Sequence, residues 1–291
     1  MGASTSVKSL YRYRAIKDTT ARYMVSMGGV GVLVAILLIF FYLLYVVIPL
    51  FESAEVSELD NYVLPGEGKA LYVGLEEQGE VAVNVTDKGR VVFFDTESTS
   101  VTSTFDLSPN AEVISVNSSG SNVALGLANG EVLVFKYIFD VTYPDDERQI
   151  TPRLEYPLGQ DAIVLDQEGR MLTQLALQLS GDSAGLIAVT DDDRLIYSRY
   201  LREESFMDES VTTELESTTS MLLQKPIQYL LLTPLLENAY AASKDGVLMQ
   251  FRLDTDGFDG PVIERKLEAE IATMKLLLGG FSLMVGMENG E

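Results

Sequence analysis

From Met24 to Phe51 no residue carries a charge, a run of 28 positions that includes VGVLVAILLIFFYLLYVV. As a helix rising about 1.5 Å per residue the run is roughly 40 Å long, more than the roughly 30 Å hydrocarbon core of a bilayer requires. It has no polar face of the kind a core helix of a soluble protein shows. A secretory signal has an apolar core of only about 7 to 15 residues and a small-residue cleavage site, so the pattern predicts a retained transmembrane helix over 24–51. A second apolar stretch, Met221–Leu236, is 16 residues long and interrupted by Lys225, Pro226 and Pro234. It is too short and too broken to span, and reads as soluble core.

Beyond residue 51 the pattern changes to short apolar runs that alternate with turns, and one unit recurs: an apolar strand, a two-residue turn, a second apolar strand. It reads VAVNVTDKGRVVFF (81–94), VALGLANGEVLVF (123–135), LIAVTDDDRLIYS (186–198), AYAASKDGVLMQF (239–251) and SLMVGMENGE (282–291). Gly89, Gly130, Gly246 and Gly290 sit at four of the turns, where glycine permits the positive φ of a type I′ hairpin; Asp191–Asp193 stands at the other. Turn-to-turn spacings are 41, 63, 53 and 44 residues, and the shorter two fall near the ~40–45 residue period of a propeller blade. The longer two are expected to hold polar insertions at Tyr143–Gln149 and Arg202–Thr219.

An inner strand is expected before each hairpin, at Ala70–Leu75, Glu112–Val116, Leu172–Leu179, Gln228–Thr233 and Ala272–Leu278. Outer strands are expected after most of them, as at Ser100–Leu107 and Val211–Glu216. Four strands per unit with hairpin-joined middle strands is the organisation of a β-propeller blade. A β-sandwich would repeat its turn signals every 8 to 12 residues or so, without the larger period. The expected fold class is therefore mostly β, a single N-terminal transmembrane helix followed by an incomplete β-propeller-like repeat domain. The GH and WD signatures of standard WD repeats are absent. The fifth hairpin stops at Asn289-Gly290-Glu291, which leaves one edge of Leu283–Met287 without the strand that should follow. This predicts the N-terminal part of a longer protein, truncated in its fifth blade.

Charge is distributed by region. Lys8, Arg12, Arg14, Lys17 and Arg22 precede the span with only Asp18 against them, whereas Glu52, Glu55, Glu58 and Asp60 follow it. The positive-inside rule then makes 1–23 a cytoplasmic basic tail, 24–51 the membrane helix and 52–291 a periplasmic domain of the bacterial inner membrane. Tyr11, Arg12, Arg14, Lys17 and Arg22 also suit anionic headgroups, although orientation alone accounts for them. Of 21 Lys and Arg and 43 Asp and Glu, all but five and one lie beyond residue 51, so the exported part carries about −26. Nucleic acid is excluded as a partner, since its binding needs Lys and Arg on phosphates. The chain has no Cys and no His, which removes thiol catalysis, disulfides, the usual zinc sites and the Ser-His-Asp triad.

Little else points to chemistry. Asp254, Asp256 and Asp259 in DTDGFDG (254–260) have calcium-loop-like spacing, but Asp259 and Arg265 stand where an EF-hand needs Gly and Glu, and a solvated interblade turn is the simpler reading. Asp191–Asp193 is read as a hairpin turn. Asn84-Val85-Thr86 and Asn117-Ser118-Ser119 fit the N-glycosylation pattern, which matters only in a eukaryotic secretory route. No phosphate-binding GxxxxGK[ST] loop is present. No catalytic, cofactor-binding or metal-ligating residue is assigned, no cofactor is expected and the chain is not read as an enzyme.

The stretch RYRAIKDTTARYMVSMGGVGVLVAILLIFFYLLYVVIPLF (12–51), followed by an exported repeat domain, resembles the N-terminal part of long-form phosphate-type ABC-transporter permeases. Its most specific piece is Ile16–Phe51. The resemblance implies a permease subunit whose first transmembrane helix is separated from the others by a large periplasmic insertion. It implies phosphate import, with a second permease subunit, a cytoplasmic ATPase and a periplasmic phosphate-binding protein as partners. The remaining helices and the ATPase-coupling loop are not in this chain, and no substrate-contacting residue carries over. A domain at about −26 does not attract phosphate within a Debye length of roughly 8 Å, so a docking or regulatory platform is expected rather than a phosphate site. The alternatives are a membrane-anchored propeller scaffold of the cell envelope with no transport role, and an anchored hydrolase working through Asp254 and Asp256.

Overall fold

The computed structural model describes residues 4–51, 61–204, 211–277 and 279–290. The chain divides into two compact units, Met1–Asn61 and Tyr62–Glu291. In the first, helix α1 (Ser4–Val47) runs for 44 residues and ends in a 3-10 turn over Ile48–Phe51. At 1.5 Å per residue α1 is about 66 Å long. It begins some twenty residues before the predicted span, because no Gly or Pro interrupts Ser4–Ser26. Over 4–23 the segment read as a cytoplasmic basic tail is the first part of one continuous helix. Pro49 ends it by lacking an N–H and by biasing Ile48 away from α geometry. Side chains from Lys17 to Phe51 are exposed on every face, and the helix over Lys17–Phe51 is long and apolar enough to cross a membrane.

The second unit is a series of antiparallel sheets in chain order. The first contains β1 (Ala70–Leu75), β2 (Val81–Thr86), β3 (Arg90–Asp95) and β4 (Val101–Asp106); the second contains β5 (Val113–Ser119), β6 (Asn122–Leu127), β7 (Glu131–Thr142) and β8 (Gln149–Glu155). A two-residue strand, β9 (Ile163–Val164), adds to β7. The third contains β10 (Leu172–Ser180), β11 (Ser183–Thr190), β12 (Arg194–Glu204) and β13 (Val211–Leu222); the fourth contains β14 (Tyr229–Leu232), β15 (Asn238–Ala242), β16 (Val247–Arg252) and β17 (Pro261–Lys266). The fifth pairs β18 (Ile271–Leu276) with β19 (Leu283–Met287). Leu278, expected in that inner strand, lies outside the described residues.

The repeat extends to fine detail. In the first, second, third and fifth sheets the inner strand carries a bulge at its second residue, namely Leu71, Ile114, Thr173 and Ala272. Each hairpin turn also has one design. The N–H of Gly89, Gly130, Asp193, Gly246 or Gly290 donates to the carbonyl three positions earlier, at 3.0, 3.4, 3.1, 3.1 and 3.0 Å. Positive φ is confined to that last loop residue, at 71, 80, 63, 90 and 87°. These are three-residue loops closed by one left-handed residue, not the expected type I′ turns, which need positive φ at two central positions. At Thr86, Thr190 and Ser243 the hydroxyl oxygen accepts the N–H four residues on and tightens the loop.

Alternate residues of the middle strands face opposite ways into successive cores. On β6, Leu125 packs with Val83 and Phe93 of the first sheet, while Ala124 packs with Leu175 and Leu186 of the third. On β11, Leu186 and Ala188 face the second sheet, and Ile187 and Val189 face Ala239, Ala241 and Phe251 of the fourth. On β15, Ala242 turns to Ile271 and Met274 of the fifth. A sandwich has one such interface; here every sheet packs on the next, as propeller blades do. The innermost strands come together in chain order, with β1 beside β5, β5 beside β10, β10 beside β14 and β14 beside β18. Ser115 Oγ donates to Leu172 O at 2.8 Å, and Leu177 N donates to Asn117 Oδ1 at 2.9 Å, fastening β5 to β10.

Outer strands are polar, and all six residues of β17 are exposed. The extra length expected as an insertion at Arg202–Thr219 goes largely into strand, in the long β12–β13 hairpin, apart from 205–210, which lies outside the described residues. The Met221–Leu236 stretch is core, with Leu223, Ile227, Leu230, Leu232 and Leu236 buried between the third and fourth sheets.

Candidate functional site

Where the first and second sheets meet, two tyrosines face each other: Tyr72 on β1 and Tyr137 on β7, hydroxyls 2.8 Å apart. Gly74 makes room for them, since a Cβ there would lie 2.7 Å from Tyr137 Oη. Burial, reinforced by the Tyr72 hydroxyl, pushes the Tyr137 phenol well above its ordinary value of 10.0. Phe139 lies edge-on to both Phe93 and Tyr137, with ring centroids 5.7 Å apart in each case.

Beyond this aromatic group lies an open cleft of about 590 Å³, lined by the β1–β2 turn, the second half of β7 and the turn that follows it. Its floor holds a charge cluster. Glu76, only 7% exposed, accepts the Gln78 N–H at 2.9 Å and an Arg148 Nη2–H at 2.5 Å. The other arm of Arg148 pairs with Glu80 at 2.5 Å. Burial would raise the Glu76 carboxyl, but the Gln78 N–H and the guanidinium outweigh it and hold it below 4.5. The apolar wall includes Leu75 and Tyr143, 61% and 63% exposed, together with Ile138 and Val141. Asp145 and Asp146 in the β7–β8 turn both adopt positive φ, 53 and 63°, uncommon for residues other than glycine. Nothing in the spacing of the sequence marks this cleft; two bulky apolar residues beside an acidic turn at 143–147 are the only trace.

The residues singled out from sequence lie elsewhere and apart. Asp254, Asp256 and Asp259 are exposed on the loop between β16 and β17, within the fourth sheet rather than between blades. Asp254 Oδ1 is occupied by the Asp256 N–H at 2.9 Å, and Thr219 donates to Asp256 O at 3.0 Å. Among the described residues no group of three or more Asp and Glu converges as a metal would need. Asp191–Asp193 forms the β11–β12 turn. There Thr190 donates to Asp192, and Arg170 lies 3.2 Å away; the hydroxyl first, then the cations, hold the carboxyl below its usual range.

The two glycosylation patterns differ in access. Asn84 is 2% exposed with its amide nitrogen donating to Pro65 O at 2.9 Å, whereas Asn117, held between β5 and β10, is half-buried and engaged through its oxygen.

No protein-family model matches this sequence, and no curated protein is similar to it. Solved structures of similar shape include the β-propeller domain of Myceliophteria thermophila Cps50 (Swd1), 13% identical with a TM-score of 0.44, over 77% of this chain and 63% of that one. Another is Kluyvelomyces marxianus Hsv2, 16% identical with a TM-score of 0.41, over 75% and 57% of the two chains. The chain thus spans about three fifths of the length of each. Tyr62–Glu291 is β-propeller-like on its own internal evidence, the successive antiparallel sheets with a core on either side of each middle one.

Proposed function

We propose that this chain is a membrane-anchored β-propeller scaffold, a non-enzymatic platform on which other proteins assemble. The observation that carries this reading is the pairing of α1, apolar on every face over a membrane's thickness, with a sheet array whose interior is spent on packing and whose edges and loops remain for contacts. The basic residues before the span and the acids after it favour a cytoplasmic N-terminus and an exported domain. Expressed in a bacterium, the chain is expected to stay with the membranes through alkaline carbonate extraction, while a variant lacking 1–51 is released. Release of the intact chain overturns the anchor.

The resemblance of Arg12–Phe51 to phosphate-type permeases favours a more specific version, in which the scaffold is the periplasmic insertion of a transporter subunit. In that version a second permease subunit, an ATPase and a phosphate-binding protein are its partners, and the acidic domain docks rather than binds phosphate. Further hydrophobic spans encoded after Glu291, and co-purification of a phosphate-binding protein, support it. Micromolar phosphate binding to the chain by calorimetry counts against the docking role.

A further inference from the structure

The cleft between the first two sheets has the features of a protein-docking site. Leu75, Ile138, Val141 and Tyr143 line it while remaining partly or largely open, an apolar surface that gains from being covered. Its cations are already committed, Arg148 to Glu76 and Glu80, and Lys136 to Glu155 at 3.6 Å. Nearby acids are not: Glu77, which lines the cleft, and Asp145, Asp146 and Glu147, in the turn between its lining residues Tyr143 and Arg148, are exposed and form no ion pair among the described residues. An apolar trough edged by uncompensated carboxylates is complementary to a segment with apolar anchors flanked by Lys or Arg. Ion pairing fixes the floor, so Arg148 serves as a strut and does not recruit an anionic ligand.

We propose that this cleft binds a basic-flanked apolar segment of a partner protein, seated on Leu75 and Tyr143 with its cations toward Glu77 and the 145–147 turn. The proposal rests on the scaffold reading and names the surface that reading needs.

The test uses the detergent-solubilised full chain and two fluorescent 14-residue peptides, one of alternating Lys and Leu pairs and its Glu/Leu counterpart, followed by anisotropy. The Lys/Leu peptide is expected to bind saturably and the Glu/Leu peptide not at all. Leu75→Ser with Tyr143→Ser should weaken binding about tenfold, and so should Glu77→Lys with Glu147→Lys. Matched pairs at exposed positions on and just after the outer strand β17, Val262→Ser with Ile263→Ser and Glu264→Lys with Glu268→Lys, should leave it unchanged. No saturable binding, or equal loss from these control pairs, overturns the proposal, since the peptide would then be reading overall charge or apolar surface. Carbonate extraction of each cleft variant reports the anchor separately, so failure of the docking site is distinguishable from failure of the scaffold.

Discussion

Arg148 donates to Glu76 at 2.5 Å although 72 positions separate them, which ties the β7–β8 turn of the second sheet to the β1–β2 turn of the first. The same carboxylate takes the Gln78 N–H, so its charge is neutralised and its geometry held by two elements at once. Removing one partner of such a pair leaves the other buried without compensation.

Glu76 has a folded-state value below its unfolded 4.5, so its stabilisation is present above about pH 4.5 and is lost as pH falls through the folded value. Chemical denaturation of the full chain at pH 7 and pH 3.5 should show a lower midpoint at pH 3.5. Part of that difference should vanish in Glu76→Gln. Arg148→Met should be more harmful at pH 7 than at pH 3.5, where protonation relieves the orphaned carboxylate.

Tyr137 titrates in the opposite sense. Its phenol is held above 10.0, so the unfolded chain ionises first and the stabilisation present below pH 10 fades as pH rises beyond it. Tyr137→Phe should lose less stability between pH 9 and pH 11 than the parent chain, as read by denaturation midpoints.

Gly74 and Tyr137 give a steric test. Gly74→Ala places a Cβ against the tyrosine hydroxyl and should cost about 1–3 kcal/mol by thermal unfolding. Gly74→Ala combined with Tyr137→Phe should recover part of that loss, because the Tyr137 hydroxyl at 2.7 Å is gone while its ring Cζ and the Tyr72 hydroxyl stay at 3.1 Å.

The hairpin loops predict opposite signs at equivalent positions. Asp193 holds a positive φ of 63° with a β-carbon, so Asp193→Gly should gain about 0.5 kcal/mol. Gly246→Ala should lose about 1–2 kcal/mol, since its Cβ would meet the Ala269 carbonyl at 2.6 Å and backbone cannot step aside. In the core between the third and fourth sheets, Phe251→Ala should cost about 3–5 kcal/mol, while Val262→Ser on β17 should stay within about 0.5 kcal/mol.

These residues also mark how far the sequence could be read. The strand pairs at Val81–Asp95 and Asn238–Arg252 were legible because glycine turns interrupt apolar runs at a recurring interval. The loop type was not, because a single glycine serves a two-residue and a three-residue loop alike and only the hydrogen bond to the third preceding carbonyl distinguishes them. The outer strand expected at Val211–Glu216 is present as the first half of β13, but its continuation to Leu222 reads as part of a polar insertion, because the Thr- and Ser-rich 217–220 stretch carries no apolar alternation. Helix α1 extends beyond the apolar run because hydropathy reports where lipid suits a helix, and Ser4–Tyr23 is helical without being apolar. Asn84 matched a glycosylation pattern that burial nullifies, and the cleft depends on Glu76 and Arg148 meeting through tertiary structure alone.

The central claim is an anchored domain with a fixed orientation, and the absence of cysteine makes it directly measurable. Single cysteines are introduced by Ser6→Cys and Thr102→Cys, and intact spheroplasts are treated with a membrane-impermeant maleimide before the purified chain is weighed by mass spectrometry. The account predicts labelling of Thr102→Cys, protection of Ser6→Cys until the membrane is opened, and a mass that retains residues 1–51. Labelling of Ser6→Cys with protection of Thr102→Cys, or a chain cleaved after the helix, would contradict it.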